Sequence, residues 1–194
     1  MDRSPPSRSP ATSTIAACWR TASRRPRSHR RSRRAPWTLG ERLAVEMDLV
    51  GTLTVELFLM PDGRLVVNEL APRVHNSGHW TIEGAATSQF EQHIRAICGL
   101  GLGATHALAP TAMVNLLGTG PRRPARLDGV AVALADPALH LHVYDKREVF
   151  ERRKMGHLTA VGETAGTADA PLAKARAAAA ELRWMEDKDE ETGR

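Results

Sequence analysis

Two apolar runs joined by Pro61-Asp62-Gly63 constrain the fold of this 194-residue chain more than any other feature. The first, Thr52 to Met60, is rich in Val, Leu, Thr and Phe, residues that suit a pleated strand. The second, Arg64 to Leu70, has the same character. Between them Pro presets φ, Asp caps the turn through its side chain, and Gly tolerates φ > 0. The spacing predicts an antiparallel hairpin followed by a polar loop, APRVHNSGHW.

Closing that hairpin has a chemical consequence. A turn of three or four residues sets Glu56 opposite Asn68 or Glu69. Like charges directly across a strand pair repel, and a buried lone carboxylate is costly. A cation between the two removes both penalties. Hard oxygen donors, few in number, with room left for phosphate oxygens and water, suit Mg²⁺. The plainer alternative is a pair of carboxylates facing solvent at a sheet edge.

The net charge of +5 is unevenly spread. Residues 1–36 hold ten Arg, no Lys and a single acid, Asp2, whereas the rest of the chain holds 17 basic and 21 acidic residues. Without periodic apolar positions, residues 1–36 cannot bury enough surface to order themselves, and they read as a disordered Arg/Ser/Pro-rich segment. Their Arg-only basicity and abrupt stop at Trp37 also fit translation in the wrong frame. The cluster at residues 23–34 can neutralise phosphates, but no aromatic residue interleaves with it for base stacking. Nucleic acid is therefore the alternative reading rather than the preferred one. Two distant cysteines, Cys18 and Cys98, make no metal or redox motif and suit a reducing, cytoplasmic setting. No apolar run reaches membrane-spanning length.

In chain order, Thr38 to Leu49 reads as a helix, with Thr38 and Glu41 spaced as a capping box and Leu43, Met47 and Val50 on one face. After the polar loop, Thr81 to Leu100 reads as one helix whose apolar face is Phe90, Ile94 and Ile97, ended by Gly99. Thr111 to Leu117 is a short buried strand, residues 118–128 a loop, and Val130 to Leu134 weakly ordered. Leu139 to Tyr144 alternates, with Leu139, Leu141 and Val143 on one face and His140, His142 and Tyr144 on the other. Asp145 to Lys154 is a charged turn, Met155 to Val161 another strand, and Pro171 to Trp184 an Ala-rich helix.

Two polar groupings stand out. Arg73, His75, Asn76 and His79 in the loop after the hairpin offer a guanidinium fork and directed donors for a small anion. They equally suit a loop that caps the next helix. His75 and His79 lack a nearby Cys or third His for zinc. Lys146, Arg147, Arg152, Arg153 and Lys154 form a second basic set in a turn, which is the usual composition of a solvated face.

The runs VELFLMPDGRLVVNELAPRVHNSGHWTIEGAATSQFEQHIRAICGL, MVNLLG, LHVYDK and RKMGHLTAVG together resemble the 5-(carboxyamino)imidazole ribonucleotide synthase family, ATP-grasp ligases of purine biosynthesis. The most specific part is NELAPRVHNSGHWT followed by SQFEQH. The resemblance, from about Leu39 to about Gly162, implies an α+β chain: the C-terminal half of an ATP-grasp domain, an antiparallel sheet with flanking helices, plus a small β-rich C-terminal domain. It implies boundaries at 37–108 for the part with the Mg-ATP and bicarbonate site, 109–184 for the small domain and 185–194 for a charged tail.

By the same resemblance Glu56 and Glu69 are Mg²⁺ ligands that hold ATP phosphates, and Asn68 sits with Glu69 beside the nucleotide. Arg73, His75 and Asn76 hold bicarbonate or carboxyphosphate. Lys146 and Arg153 contact the phosphate of the ribonucleotide substrate, although REVFER between them departs from the family's RPG-containing form. The implied reaction is ATP-dependent carboxylation of 5-aminoimidazole ribonucleotide with bicarbonate through carboxyphosphate. Family members carry further domains that residues 1–36 do not match, so the expectation is a truncated enzyme with little activity alone, with exposed apolar surface and a homodimer as one outcome. The other reading is an inert relative that packs against a partner.

Overall fold

The computed structural model describes residues 11–20, 39–62 and 64–186. They form two compact units. The first runs to His79 and resumes at Thr87–Ala104, and the second takes Trp80–Ala86 and then Thr105 onward. The boundary expected near residue 108 is therefore interleaved: seven residues after the polar loop fold with the second unit before the chain returns to the first.

In chain order come β1 (Ala11–Arg20), α1 (Leu39–Glu46), β2 (Gly51–Leu59), β3 (Leu65–Ala71), a 3₁₀ turn at Asn76–Gly78, α2 (Thr81–Gly84), which belongs to the second unit, and α3 (Gln89–Ile97). The first unit is an antiparallel sheet in the order β1-β2-β3. Its hairpin closes as the turn residues require: Met60 N donates to Arg64 O at 2.8 Å, and Asp62 Oδ1 accepts from Arg64 N at 3.1 Å. The Arg64 side chain beside Asp62 holds that carboxyl below its ordinary range. Leu53, Val55 and Leu57 of β2 are buried with Ala44 of α1, joined by Leu43 and Leu49. The opposite parity of β2, Thr52 and Thr54, is also buried, and α3 packs against this strand.

Several expectations are corrected here. Ala11–Arg20 pairs with β2 where composition argued for disorder; β2 presents a hydrogen-bonding edge on the side away from β3, and a stretch with Thr, Ile and Trp suits an extended partner. The remainder of residues 1–36, including the basic cluster, lies outside the described residues. The first helix spans Leu39–Glu46, its proposed cap Thr38 lies outside the described residues, and Met47 and Val50 are exposed. The helix expected over Thr81 to Leu100 is two helices. Ala85 between them is extended and bridges to Ala107, and Ser88 starts α3 afresh by accepting from Glu91 N at 3.2 Å. Its expected apolar face is its exposed one: Phe90, Ile94 and Ile97 are 38%, 53% and 50% accessible. Gln89, Gln92 and Ala96 are buried instead.

The second unit continues with β4 (Thr111–Leu117), β5 (Arg123–Pro124), β6 (Leu127–Asp128), α4 (Val130–Ala133), β7 (Leu139–Val143), β8 (Glu148–Val149), β9 (Lys154–Val161), α5 (Asp169–Glu181) and β10 (Arg183–Trp184). Its main sheet is antiparallel in the order β4-β9-β7, with two-stranded pairs β10-β6 and β5-β8. Leu116, Leu139, Leu158 and Ala160 meet Ala133 of α4 and Ala175 and Ala178 of α5 in one core. The small α5 residues let that helix lie close to the sheet, as the Ala-rich composition allows. The region of Val130 to Leu134, expected to be weakly ordered, holds a helical turn started at Gly129 with φ 82°. The loop at 118–128 contains β5 and β6, and the charged turn contains β8, whose Val149 is fully buried. The last helix ends at Glu181, before β10. Among the described residues no helix is long and apolar enough to cross a membrane.

Candidate active site

The hairpin register sets Glu56 of β2 directly opposite Glu69 of β3. The next pair is Leu57 with Val67, so Asn68 is an extra residue on β3. A bulge of this kind lets two neighbouring side chains address one partner. Both alternatives left open by turn length are thus realised together: Glu69 faces Glu56 across the ladder, and Asn68 Nδ2 donates to Glu56 Oε2 at 3.3 Å.

The polar loop adds a third group. His75 precedes the 3₁₀ turn in an extended conformation. Its Nδ1 is 3.5 Å from Glu56 Oε1 and its Nε2 3.5 Å from Glu69 Oε1. The three side chains differ in exposure: Glu56 17%, His75 12% and Glu69 53%. One ligand atom from each lies within 4.8 Å of the others. An octahedral Mg²⁺ with bonds near 2.1 Å separates its ligand atoms by about 3.0 Å (cis) or about 4.2 Å (trans), so two carboxylate oxygens can reach one ion with small side-chain rotations. The donor set fits Mg²⁺ through Glu56 and Glu69; the imidazole is a softer donor that suits such an ion less well.

What holds His75 is a residue that sequence reasoning passed over. Gln89, buried at the start of α3, accepts from His75 N at 3.0 Å and donates to His75 O at 2.8 Å. Its Nε2 also lies 2.7 Å from His79 Nδ1, and His79 stacks on Phe90 at 5.2 Å. Gly78 is required here, because a Cβ would stand 2.5 Å from Gln89 Oε1. Gln92, one turn on, clamps Gly103 in the same two-way fashion, at 3.0 and 2.9 Å. The available signal was a pair of Gln three apart, on the helix side opposite the apolar stripe.

The loop residues separate in their surroundings. His75 joins the carboxylates. Asn76 opens the 3₁₀ turn, its carbonyl accepting from His79 N. Arg73 is exposed and donates to the adjacent Val74 O at 3.0 Å, with no contact drawing it to Glu56 or Glu69 among the described interactions.

In the second unit the charged turn gathers cations. Lys146 Nζ donates to Lys154 O and stands 5.6 Å from the Tyr144 ring centre. Burial, followed by the positive charges of Arg153 and Lys154, pushes the Lys146 ammonium below its ordinary pKa. Arg153 donates to Glu148 O at 2.6 Å and lies over the Phe150 ring at 4.9 Å. Arg152 occupies a left-handed turn with φ 62° and donates through its backbone to Gly118 O at 2.9 Å. A phosphate beside Lys146 would offset the neighbouring positive charges that, after burial, lower its pKa.

Residues 15–90 match the ATP-grasp domain family, and residues 111–170 the phosphoribosylaminoimidazole carboxylase C-terminal domain family. The N5-carboxyaminoimidazole ribonucleotide synthase of Bacillus subtilis is 54% identical over 125 residues, covering 62% of this chain and 30% of that protein. The crystal structure of N5-carboxyaminoimidazole ribonucleotide synthetase from Thermotoga maritima is similar at a TM-score of 0.67 and 46% identity, over 73% of this chain and 39% of that one. An Aspergillus clavatus N5-carboxyaminoimidazole synthase structure in complex with ADP and 5-aminoimidazole ribonucleotide is similar at a TM-score of 0.57 and 36% identity, over 67% of this chain and 35% of that one. The chain spans roughly a third of the length of the relatives it matches.

Proposed function

From the premise that this chain belongs, over its matched residues, to the N5-carboxyaminoimidazole ribonucleotide synthase family of ATP-grasp ligases, we propose that it takes part in ATP-dependent carboxylation of 5-aminoimidazole ribonucleotide by bicarbonate, in a cytoplasmic setting. The observation that carries the reading is the Glu56–Glu69 opposition, with Asn68 bulged toward Glu56 and His75 between the two acids.

In this reading Glu56 and Glu69 would hold Mg²⁺, which when bound screens charge on the ATP phosphates during transfer. Asn68 orients Glu56 so that its second oxygen stays directed at the site. A bicarbonate oxygen attacks the γ-phosphorus, the bond to ADP breaks, and carboxyphosphate results. The exocyclic amine of the ribonucleotide then attacks the carboxyl carbon, inorganic phosphate leaves, and the nitrogen loses a proton. Arg73, His75 and Asn76 supply donors to the carboxylated intermediate, whose charge is best stabilised by groups already fixed in place. The two-point clamp of Gln89 on the His75 backbone gives that pre-organisation. Lys146 and Arg153 bind the substrate phosphate, whose negative charge offsets the burial and the neighbouring positive charges that lower the Lys146 pKa.

Binding and turnover test separable parts of this reading. The purified chain should bind ADP in a Mg²⁺-dependent way, and Glu56→Gln with Glu69→Gln should remove the metal dependence. Undiminished Mg²⁺-dependent binding in the double variant would overturn it. We propose further that the chain alone turns over little; ADP release at family-like rates, dependent on the ribonucleotide and bicarbonate, would sink that second claim.

A further inference from the structure

The second unit contains a chain of polar side chains, buried at His157 and half-buried at Glu83, His142 and Tyr144, that the proposed chemistry does not use, and it ends at Lys146. Glu83 of α2 has one carboxylate oxygen 2.6 Å from His142 Nε2. The His142 ring stacks on His157 with centroids 4.4 Å apart and planes within 12°. His157, 1% accessible, has its Nδ1 2.8 Å from the Tyr144 hydroxyl. The Tyr144 ring carries Lys146 Nζ on its face.

Neighbouring strands fix the central link. His142 and His157 are register partners of β7 and β9, and the next pair is Val143 with Gly156. Gly156 is needed for that approach, since a Cβ there would stand 2.3 Å from the His142 carbonyl oxygen. Tyr144 N donates to Met155 O at 2.9 Å, so the phenol leaves the sheet at a set point. Asp145 then turns the chain with φ 48°, and Lys146 bends back to the Lys154 carbonyl.

The chemistry of the links explains their order. An ionised carboxylate only accepts, so Glu83 requires a proton on His142 Nε2. That contact sets the plane of His142, the stack sets the plane of His157, and the 2.8 Å contact sets the phenol in either tautomer of His157. A cation over an aromatic face is held by the ring's negative quadrupole, so the phenol ring and the Lys154 carbonyl together set where the ammonium rests. Packing alone would be met by apolar side chains of the same volume; a buried imidazole at His157, flanked by three half-buried polar groups, incurs a desolvation penalty that a hydrophobic core avoids.

We propose that Glu83, His142, His157 and Tyr144 form a positioning relay that fixes Lys146 for a phosphate-bearing ligand. The inference rests on reading Lys146 and Arg153 as a phosphate site, and the test separates the two. Inorganic phosphate is titrated into the full chain carrying ¹⁵N-labelled histidine, and both the Kd and the His142 and His157 ring signals are followed. By reciprocity of coupling, phosphate should shift the His157 signals saturably with the same Kd. Tyr144→Phe, which keeps the ring, should weaken phosphate binding by about threefold to tenfold, the effect of one hydrogen bond, and should abolish the His157 response. Glu83→Gln should weaken binding to a smaller extent, and thermal midpoints show that each variant is folded. If both variants bind phosphate like the parent while Lys146→Met has lost binding, the relay is refuted and the phosphate site stands. If Lys146→Met itself binds phosphate like the parent, the phosphate site fails, and the relay with it.

Discussion

Gln89 grips the backbone of His75 from both sides, accepting from its N–H at 3.0 Å and donating to its carbonyl at 2.8 Å. A single buried amide thereby satisfies both main-chain polar groups of the residue that sits between Glu56 and Glu69. Replacing it by Leu leaves a donor and an acceptor without their partner, at about 1–3 kcal/mol each. Gln89→Leu should lower the urea midpoint of unfolding and weaken Mg²⁺-dependent nucleotide binding together. Gln89→Glu should do nearly as much harm, because a carboxylate accepts from the N–H but cannot donate to the carbonyl.

The two acids should respond differently to neutralisation. Glu56 is the more buried and is held by Asn68, whereas Glu69 is half exposed. Without metal, Glu69→Gln relieves a like-charge cross-strand pair, a gain of about 0.2–1 kcal/mol, so its thermal midpoint should equal or exceed that of the parent. With Mg²⁺ and ADP present the order should reverse, since the ligand raises the parent's midpoint through binding to the native state and the variant's much less. Thermal shift with and without Mg-ADP reads both effects in one experiment. An equal ligand-induced shift in parent and variant would contradict the metal role of Glu69.

The hairpin was legible in the sequence because each part of it has a local cause. Pro61 and Asp62 dictate the turn, and alternation dictates that Leu53, Val55 and Leu57 face one way. The bulge at Asn68 was not legible: period-2 parity offers Asn68 or Glu69 to Glu56, and only an inserted residue offers both. The face of α3 was misread for the opposite reason. Phe90, Ile94 and Ile97 repeat as a buried stripe should, yet Gln89 and Gln92 are the residues inside, because the His75 and Gly103 backbones need amide partners there. Hydrophobic periodicity records the preference of a side chain for burial; it does not record the hydrogen-bonding needs of a distant loop. The pairing of β7 with β9 was likewise beyond sequence spacing, and with it the stacking of His142 on His157.

Phe90, Ile94 and Ile97 on α3, and Leu65, Val66, Val67 and Leu70 on β3, are all exposed, and exposed apolar side chains grouped on one element are candidates for a contact face. The chain should self-associate as its concentration rises into the micromolar range. Ile94→Glu, at a side chain 53% accessible, should shift sedimentation toward the monomer with little change in the unfolding midpoint. A fully monomeric parent at such concentrations would remove the case for these faces as contact surfaces.

Alkaline pH supplies the final test, through Lys146. Burial and the neighbouring Arg153 and Lys154 charges depress its pKa below the ordinary lysine value of 10.5. For a base with a depressed folded-state pKa, the unfolded chain binds more protons between the two pKa values, so this residue's contribution to stability rises with pH across that window. Phosphate binding must run the other way, because it needs the ammonium. Affinity for inorganic phosphate should therefore fall as pH climbs through the depressed pKa, earlier than a solvent-exposed lysine would allow. Lys146→Arg keeps its charge throughout that range, so the alkaline loss of affinity should disappear even if the altered geometry weakens binding at neutral pH. The two pH profiles of phosphate affinity give a direct reading: profiles that fall in parallel would show that a group other than Lys146 governs the loss.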